Sequence, residues 1–88
     1  MSIDIQRLGS ADARLLDDLD PDVFDYPLDP AATAVFLADP RHHLVVALDG
    51  GRVVGFVSAV HYVHPDKPGP ELWINEVGVA SSHHGRGI

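Results

Sequence analysis

The chain has 88 residues, enough for one small domain but not for two. It contains no cysteine, which excludes disulfides, thiolate zinc ligands and a thiol nucleophile. The formal net charge is −7, from 13 acidic and 6 basic residues, which argues against a basic face for nucleic acids or for anionic membranes. No apolar run reaches the ~20 residues that cross a bilayer, and the N-terminus has no pattern typical of a signal peptide. The expected location is therefore the cytoplasm.

The first half of the chain predicts one strand and two short helices. Residues 3–8 begin with alternating apolar and polar side chains, which is typical of a half-buried strand. Ser10 is the candidate N-cap of a helix over residues 11–19, whose leucines recur on one helical stripe. Asp29, followed by a proline, is typical of a helix start, so a second helix is predicted over residues 31–38.

Between the two predicted helices lies a segment, residues 17–29, that we call the acidic segment. It contains six acidic side chains, no basic one and two internal prolines, which favour a loop. The acidic residues are Asp17, Asp18, Asp20, Asp22, Asp25 and Asp29. Val23, Phe24 and Tyr26 are its apolar anchors. Such a loop either attracts cationic molecules or is simply a solvated loop, and the sequence leaves both interpretations open.

The second half of the chain predicts three consecutive strands. Residues 43–48 form a dense β-type run, Asp-Gly-Gly at residues 49–51 is typical of a hairpin turn, and residues 52–63 return. Gly55 in the returning strand indicates a bulge or a close backbone approach. After a proline-rich loop, residues 71–79 form a fourth strand. The predicted fold class is therefore α+β, with a β-α-α-β-β-β order and a mainly antiparallel sheet.

Two segments carry a resemblance to a known family. One is the hairpin at residues 44–55, LVVALDGGRVVG, and the other is residues 75–88, NEVGVASSHHGRGI. In this element order they resemble the second to fourth strands and the cofactor loop of the GNAT superfamily of acetyl-CoA-dependent N-acetyltransferases. The branch they resemble most is the aminoglycoside 3-N-acetyltransferases. The resemblance implies that residues 1–88 are the N-terminal half of a single GNAT-like domain, ending inside the acetyl-CoA pyrophosphate loop.

The resemblance also implies an acetyl-CoA site at the end of the fourth strand. The family's loop pattern is Gln/Arg-x-x-Gly-x-Gly/Ala, in which His84 occupies the Gln/Arg position and Gly87 the first glycine position. A glycine-rich turn presents backbone N–H groups to a pyrophosphate, and the strand's free backbone groups can pair with the pantetheine arm. The alternative is a plain surface turn. The expected acetyl-CoA-binding residues are Val77, Gly78, Val79, His84, Gly85, Arg86, Gly87 and Ile88.

Glu76 is the candidate catalytic residue, because it is a carboxylate in an otherwise apolar strand. Such a group can accept a proton, directly or through water, from an ammonium that becomes the attacking amine. The family often has a carboxylate base on this strand, so the resemblance implies that role. The alternatives are that Glu76 points to solvent or pairs with Arg7 or Arg52. The residues expected to contact the acceptor are Glu71, Asp25 and Tyr26.

The implied reaction is transfer of an acetyl group from acetyl-CoA to an amine of a small, cationic acceptor, such as an aminoglycoside or a polyamine, by direct attack. Two alternatives remain: a non-catalytic fragment that acts as an oligomerising or partner-complemented module, and a domain that senses CoA. A homodimer or a complementing chain is an expected partner, because the fourth strand would present an open apolar edge.

The histidines and large aromatic residues lead to two further expectations. The six histidines occur as three close pairs, but adjacent strand residues and residues three apart face opposite sides of a strand. No metal is therefore expected. Trp73 and Phe56 are expected to lie in the core.

Overall fold

The computed structural model of the protein describes residues 3–85 and shows one four-stranded antiparallel sheet with helices on one face. The strands are β1 (Ile3–Leu8), β2 (His42–Asp49), β3 (Arg52–Tyr62) and β4 (Glu71–Val79), and they lie in the order β1-β2-β3-β4. A 3₁₀ helix (Ser10–Asp17) and an α-helix, α1 (Pro30–Ala38), connect β1 to β2, and a short 3₁₀ helix (Ser81–His83) follows β4. The predicted fold class and strand order are confirmed.

The core lies between the sheet and the two helices that precede β2. Leu44, Val46 and Leu48 alternate along β2 and all face this side, where they are almost fully buried. The same cluster includes Leu8, Leu16, Val23, Leu37, Val53 and Phe56. On the opposite face of the sheet, Ile5 and Val77 remain more than half exposed. Within the described residues, the helices therefore cover one face of the sheet and leave the other face partly exposed.

The connection after β1 differs from the predicted helix over residues 11–19. It is a 3₁₀ helix whose N-cap is Gly9 rather than Ser10, and Asp12 accepts a hydrogen bond from the Gly9 N–H at 2.8 Å. The helix ends early because the chain then pairs with the start of β3. The Val53 N–H donates to the Asp18 carbonyl at 2.9 Å, and the Asp20 N–H donates to the Val53 carbonyl at 3.0 Å.

The other local predictions are confirmed in detail. Asp29 caps α1 and accepts a hydrogen bond from the Ala32 N–H at 3.1 Å. Gly50 and Gly51 have φ values of 59° and 85°, which the hairpin turn requires. The register shift between β2 and β3 leaves an extra residue beside Gly55, as expected for a bulge.

Trp73 was expected in the core, and that prediction is wrong. Its side chain is 60% exposed, whereas Phe56 is buried as predicted. The reason is that β4 is an edge strand, while the helical layer packs on β1, β2 and β3. In residues 3–85 we find no helix with the length and apolar character that a membrane crossing needs.

Candidate active site

An open pocket of about 420 Å³ lies between α1, the acidic segment and the middle of the sheet. We call it the aromatic pocket. Its aromatic and acidic lining residues are Phe24, Tyr26, Phe36, Phe56, Asp25, Asp29 and Glu76. The structure therefore brings Glu76 next to Asp25 and Tyr26, which lie far from it in the chain; all three were predicted to be site residues.

Glu76 reaches the aromatic pocket because of its position in the pleat of β4. It lies opposite Ser58 of β3, which also lines the pocket. The Glu76 side chain is exposed, and within residues 3–85 it makes no hydrogen bond or ion pair. The expected ion pairs with Arg7 and Arg52 do not form there, because Arg7 contacts His43 at 2.8 Å and Arg52 donates to the Leu19 carbonyl at 3.4 Å, whereas the expected exposure of Glu76 to solvent is observed. The carboxylate is therefore available to a ligand in the pocket.

The aromatic pocket is suited to a positively charged ligand. Three carboxylates line it, and no Lys, Arg or His is among its described lining residues. The faces of Phe and Tyr rings also attract cations, which adds to the electrostatic attraction of the carboxylates. Phe24 stacks on Phe56 with ring centroids 4.1 Å apart, so part of the aromatic wall is held rigidly. An ammonium group fits this combination.

The outer edge of β4 presents unpaired backbone groups beside the pocket. The Ala80 N–H donates to the Val54 carbonyl at 2.8 Å, and bonded pairs alternate along an antiparallel ladder. Gly78 and Glu76 therefore bond to β3, whereas the N–H and C=O groups of Val77 and Val79 point outward. No described strand pairs with this edge. A ligand with amide groups, such as a pantetheine arm, can add to it as a strand does.

The packing around Gly78 leaves no space for a side chain at this position. A Cβ atom on Gly78 would lie 2.4 Å from the Phe56 ring and 2.6 Å from the Val23 carbonyl oxygen. This side of Gly78 faces the core rather than the open edge. The absence of a side chain therefore lets the acidic segment pack against β4, whereas close approach of a ligand to Gly78 stays a prediction.

We call residues 80–85, which follow β4, the β4 turn. The Ser81–His83 helix occupies its first part, and Gly85 has a φ of 78°, with open space where a Cβ atom would lie. The ring Nε2–H of His84 donates to the Val79 carbonyl at 2.7 Å, so this side chain contacts one of the outward-facing groups of β4. Arg86, Gly87 and Ile88, also predicted to bind acetyl-CoA, lie outside the described residues.

Glu71, the remaining predicted acceptor contact, lies at the other end of β4. Its carboxylate accepts a hydrogen bond from the Tyr62 hydroxyl at 3.0 Å and lies 3.8 Å from the Lys67 ammonium. The hydrogen bond to Glu71 raises the pKa of Tyr62 above its usual value. Glu71 does not line the aromatic pocket.

Some residues that line the aromatic pocket were not predicted from the sequence. Phe24 was recognised only as an apolar anchor and Phe36 not at all, because apolar residues that line a pocket look like core residues in a sequence. Within residues 3–85, no three His, Asp or Glu side chains lie close enough to hold a metal ion.

The chain is similar to known proteins in sequence and in fold. The model of the Acetyltransferase (GNAT) family matches residues 12–88, most of the chain. The protein therefore belongs to the GNAT acetyltransferase family.

Among the individual relatives is the N-alpha-acetyltransferase RimI of Mycobacterium tuberculosis, which is 34% identical over 88 residues. The match covers 98% of this chain and 54% of RimI, so the chain spans about half the length of this curated relative.

Solved structures show the same fold. An aminoglycoside acetyltransferase from an uncultured soil metagenomic sample superimposes with a TM-score of 0.81 at 23% identity, covering 100% of this chain and 64% of that one. The ribosomal-protein-alanine N-acetyltransferase of Brucella melitensis gives a TM-score of 0.75 at 21% identity, with 99% and 64% coverage. AAC(6')-Iy, in complex with the bisubstrate analog CoA-S-monomethyl-acetylneamine, gives 0.73 at 19% identity, with 100% and 64% coverage.

Proposed function

We propose that the protein is an N-acetyltransferase that transfers an acetyl group from acetyl-CoA to an amine, with Glu76 as the general base. One observation carries the proposal: the Glu76 carboxylate, without a partner among the described residues, lines an aromatic, acidic pocket on the strand whose outer edge has unpaired backbone groups. Membership of the GNAT family supports the reaction type.

In the proposed mechanism, the pocket first binds the acceptor as an ammonium ion. Asp25 and the Tyr26 ring attract its positive charge, and Glu76 removes a proton, directly or through water. The freed amine nitrogen then attacks the thioester carbon, so that a C–N bond forms and the C–S bond breaks. The nitrogen loses its second proton once the C–N bond has formed, and the CoA thiolate leaves and takes up this proton. A backbone N–H of the β4 edge, at Val77 or Val79, stabilises the negative charge on the carbonyl oxygen during the attack.

Acetyl-CoA would lie along the outer edge of β4. The outward groups of Val77 and the outward N–H of Val79 would pair with its pantetheine arm, whereas the Val79 carbonyl already accepts a hydrogen bond from His84. The β4 turn would lead toward its pyrophosphate. Within the proposal, His84, Gly85, Arg86, Gly87 and Ile88 hold the pyrophosphate through backbone N–H groups and the Arg86 charge. The outward direction of the Val77 and Val79 groups and the positive φ of Gly85 support this arrangement.

The proposed acceptor is a small polyamine or an aminoglycoside-like molecule, because carboxylates line the pocket. The particular likeness to the 3-N branch of the aminoglycoside acetyltransferases stays a prediction. A second candidate is the terminal amine of a peptide. The four aromatic rings of the pocket favour it, because they provide apolar surface for the side chain next to the amine. Turnover of kanamycin, spermidine and an alanine-initiated peptide, compared in parallel, distinguishes the candidates.

The oligomeric state is also a proposal. The open edge of β4 and the half-exposed opposite face of the sheet support a homodimer or a complementing chain. The purely non-catalytic module has less support, because it leaves the Glu76 pocket without a role. Sedimentation of the protein at several concentrations measures the association directly.

The central test is the Glu76→Gln variant, assayed by release of CoA thiol. We expect kcat to fall about 10²–10⁴-fold, because the amide cannot accept the proton, with little change in stability. Asp4→Asn is the matched control, since Asp4 is an exposed carboxylate on β1 away from the pocket. Full activity of Glu76→Gln would contradict the assignment of the base.

A further inference from the structure

The acidic segment lines the aromatic pocket, and it also forms hydrogen bonds with the β4 turn. The Asp22 carboxylate accepts hydrogen bonds from the Ser81 N–H at 3.1 Å and from the Ser81 hydroxyl at 2.5 Å. Both bonds go to one carboxylate oxygen, and they join residues that are 59 positions apart. Asp22 therefore binds the first residue of the short helix in the β4 turn.

Neighbouring residues of the acidic segment also contact the end of β4 and the β4 turn. Asp20 accepts from the Ser82 hydroxyl at 3.5 Å. Val23 is buried, and its carbonyl lies against Gly78, where a side chain would not fit. The next residues, 24–26, line the aromatic pocket. One stretch of chain thus contacts both the β4 turn and the pocket.

A second carboxylate, Asp49, also bonds to the β4 turn. The Nε2–H of His83 donates to Asp49, at the end of β2, at 2.8 Å, and the His83 side chain is only 11% exposed. The hydrogen bond from the Ser81 hydroxyl is the main reason that the pKa of Asp22 falls to about 2, so Asp22 is ionised at neutral pH. Bonds to an ionised acceptor are stronger than those between neutral groups.

We propose that Asp22 is a positioning residue for acetyl-CoA: by holding Ser81, it sets the path of the β4 turn into the glycine-rich sequence that follows. This inference rests on the proposed function. In this proposal Asp22 acts through Ser81 and not by direct contact with the substrate. A negative charge beside a pyrophosphate site is unfavourable by itself, and here the charge is directed at the Ser81 donors instead. The contacts of residues 20–26 make the cofactor end of the site depend on the segment that forms the acceptor pocket.

The first measurement is acetyl-CoA affinity by calorimetry, with kcat and KM alongside. We expect Asp22→Ala to raise Kd and KM for acetyl-CoA about tenfold while kcat changes less than about twofold. Asp22→Asn keeps an acceptor oxygen and should restore most of the affinity. Asp17→Ala removes the same charge from an exposed residue with no side-chain hydrogen bond among the described residues, and should behave like the unsubstituted protein. Equal losses in Asp17→Ala and Asp22→Ala would indicate a general charge effect and overturn the proposal.

The second measurement is hydrogen exchange of the Ser81 amide, which does not depend on activity. We expect exchange about tenfold faster in Asp22→Ala than in Asp17→Ala, because the N–H loses its acceptor. Unchanged exchange, or faster exchange with unchanged acetyl-CoA affinity, would refute the positioning role. If the unsubstituted protein binds no acetyl-CoA, the proposed function fails. If it binds and the affinity is insensitive to Asp22→Ala, only the present inference fails.

Discussion

The aromatic pocket and the β4 turn are the two ends of the proposed site, and they are built from different chemical groups. The pocket is made of side chains, chiefly aromatic rings and carboxylates from α1, the acidic segment, β3 and β4. The β4 edge and turn offer backbone groups, and side chains such as Asp22 and His83 only hold them in place. Ligand binding at the pocket should therefore depend on the chemistry of its side chains, whereas ligand binding at the turn should depend on the position of its backbone.

Phe56 lines the pocket and also packs against β4 at Gly78, just before the turn, and Phe56→Ala should have the largest effect. The ring lines the pocket, stacks on Phe24 and lies beneath Gly78. Removing it should cost about 3–5 kcal/mol in the free energy of unfolding, because it leaves a large core cavity. Urea denaturation measures this loss. Phe56→Leu, which keeps part of the volume, should lose less, and an equal loss would show that ring volume is not the cause.

Gly78→Ala tests whether the acidic segment depends on close packing against β4. The new Cβ would overlap the Phe56 ring and the Val23 carbonyl, so we expect a loss of about 1–3 kcal/mol in unfolding free energy and faster exchange of the Ser81 amide. Gly69→Ala is the control, since no atom lies within 4 Å of its Cβ position. Matching melting temperatures for the two variants would contradict the packing.

Asp29→Ala should affect the pocket and leave the turn unchanged. Asp29 caps α1, a wall of the aromatic pocket, and loss of such a cap costs about 1 kcal/mol. The melting temperature should fall by several degrees, about 4–8 °C per kcal/mol for a domain of this size. The Ser81 amide should exchange as before, and a large increase there would contradict this prediction, because it would show that loss of the α1 cap also disturbs the turn.

The smallest expected effect concerns neither region. Burial lowers the pKa of His43, and the neighbouring Arg7, His61 and His42 lower it further. The unfolded chain therefore binds a proton more readily than the folded protein, so this contribution is complete above a pH of about 6.5 and is lost as the pH falls below it. The melting temperature should be lower at pH 5.5 than at pH 7.5, and the difference should shrink in His43→Gln. An unaltered difference would assign the pH dependence to other groups.

The short-range features were predictable because their causes lie within a few residues. Alternation indicated the first strand and a dense run of β-type residues the second, the Asp-Gly-Gly sequence at residues 49–51 predicted the hairpin, and Asp29 with its proline predicted the start of α1. Glu76 was identified as a carboxylate in an otherwise apolar strand and through the resemblance, which also indicated Asp25 and Tyr26, and the structure places all three at one pocket. The helix predicted over residues 11–19 was wrong in type and extent, because pairing of residues 18–20 with Val53 overrides local helical preference.

By itself, the sequence determined the order of the strands and helices, the acidic character of the segment before α1 and the family of the protein. Only the tertiary structure decided that Phe24 and Phe36 line a pocket, that Trp73 stays exposed, and that Asp22 holds Ser81. Periodicity and capping act over one turn or one strand, whereas these contacts join residues that meet only after the helical layer packs on the sheet.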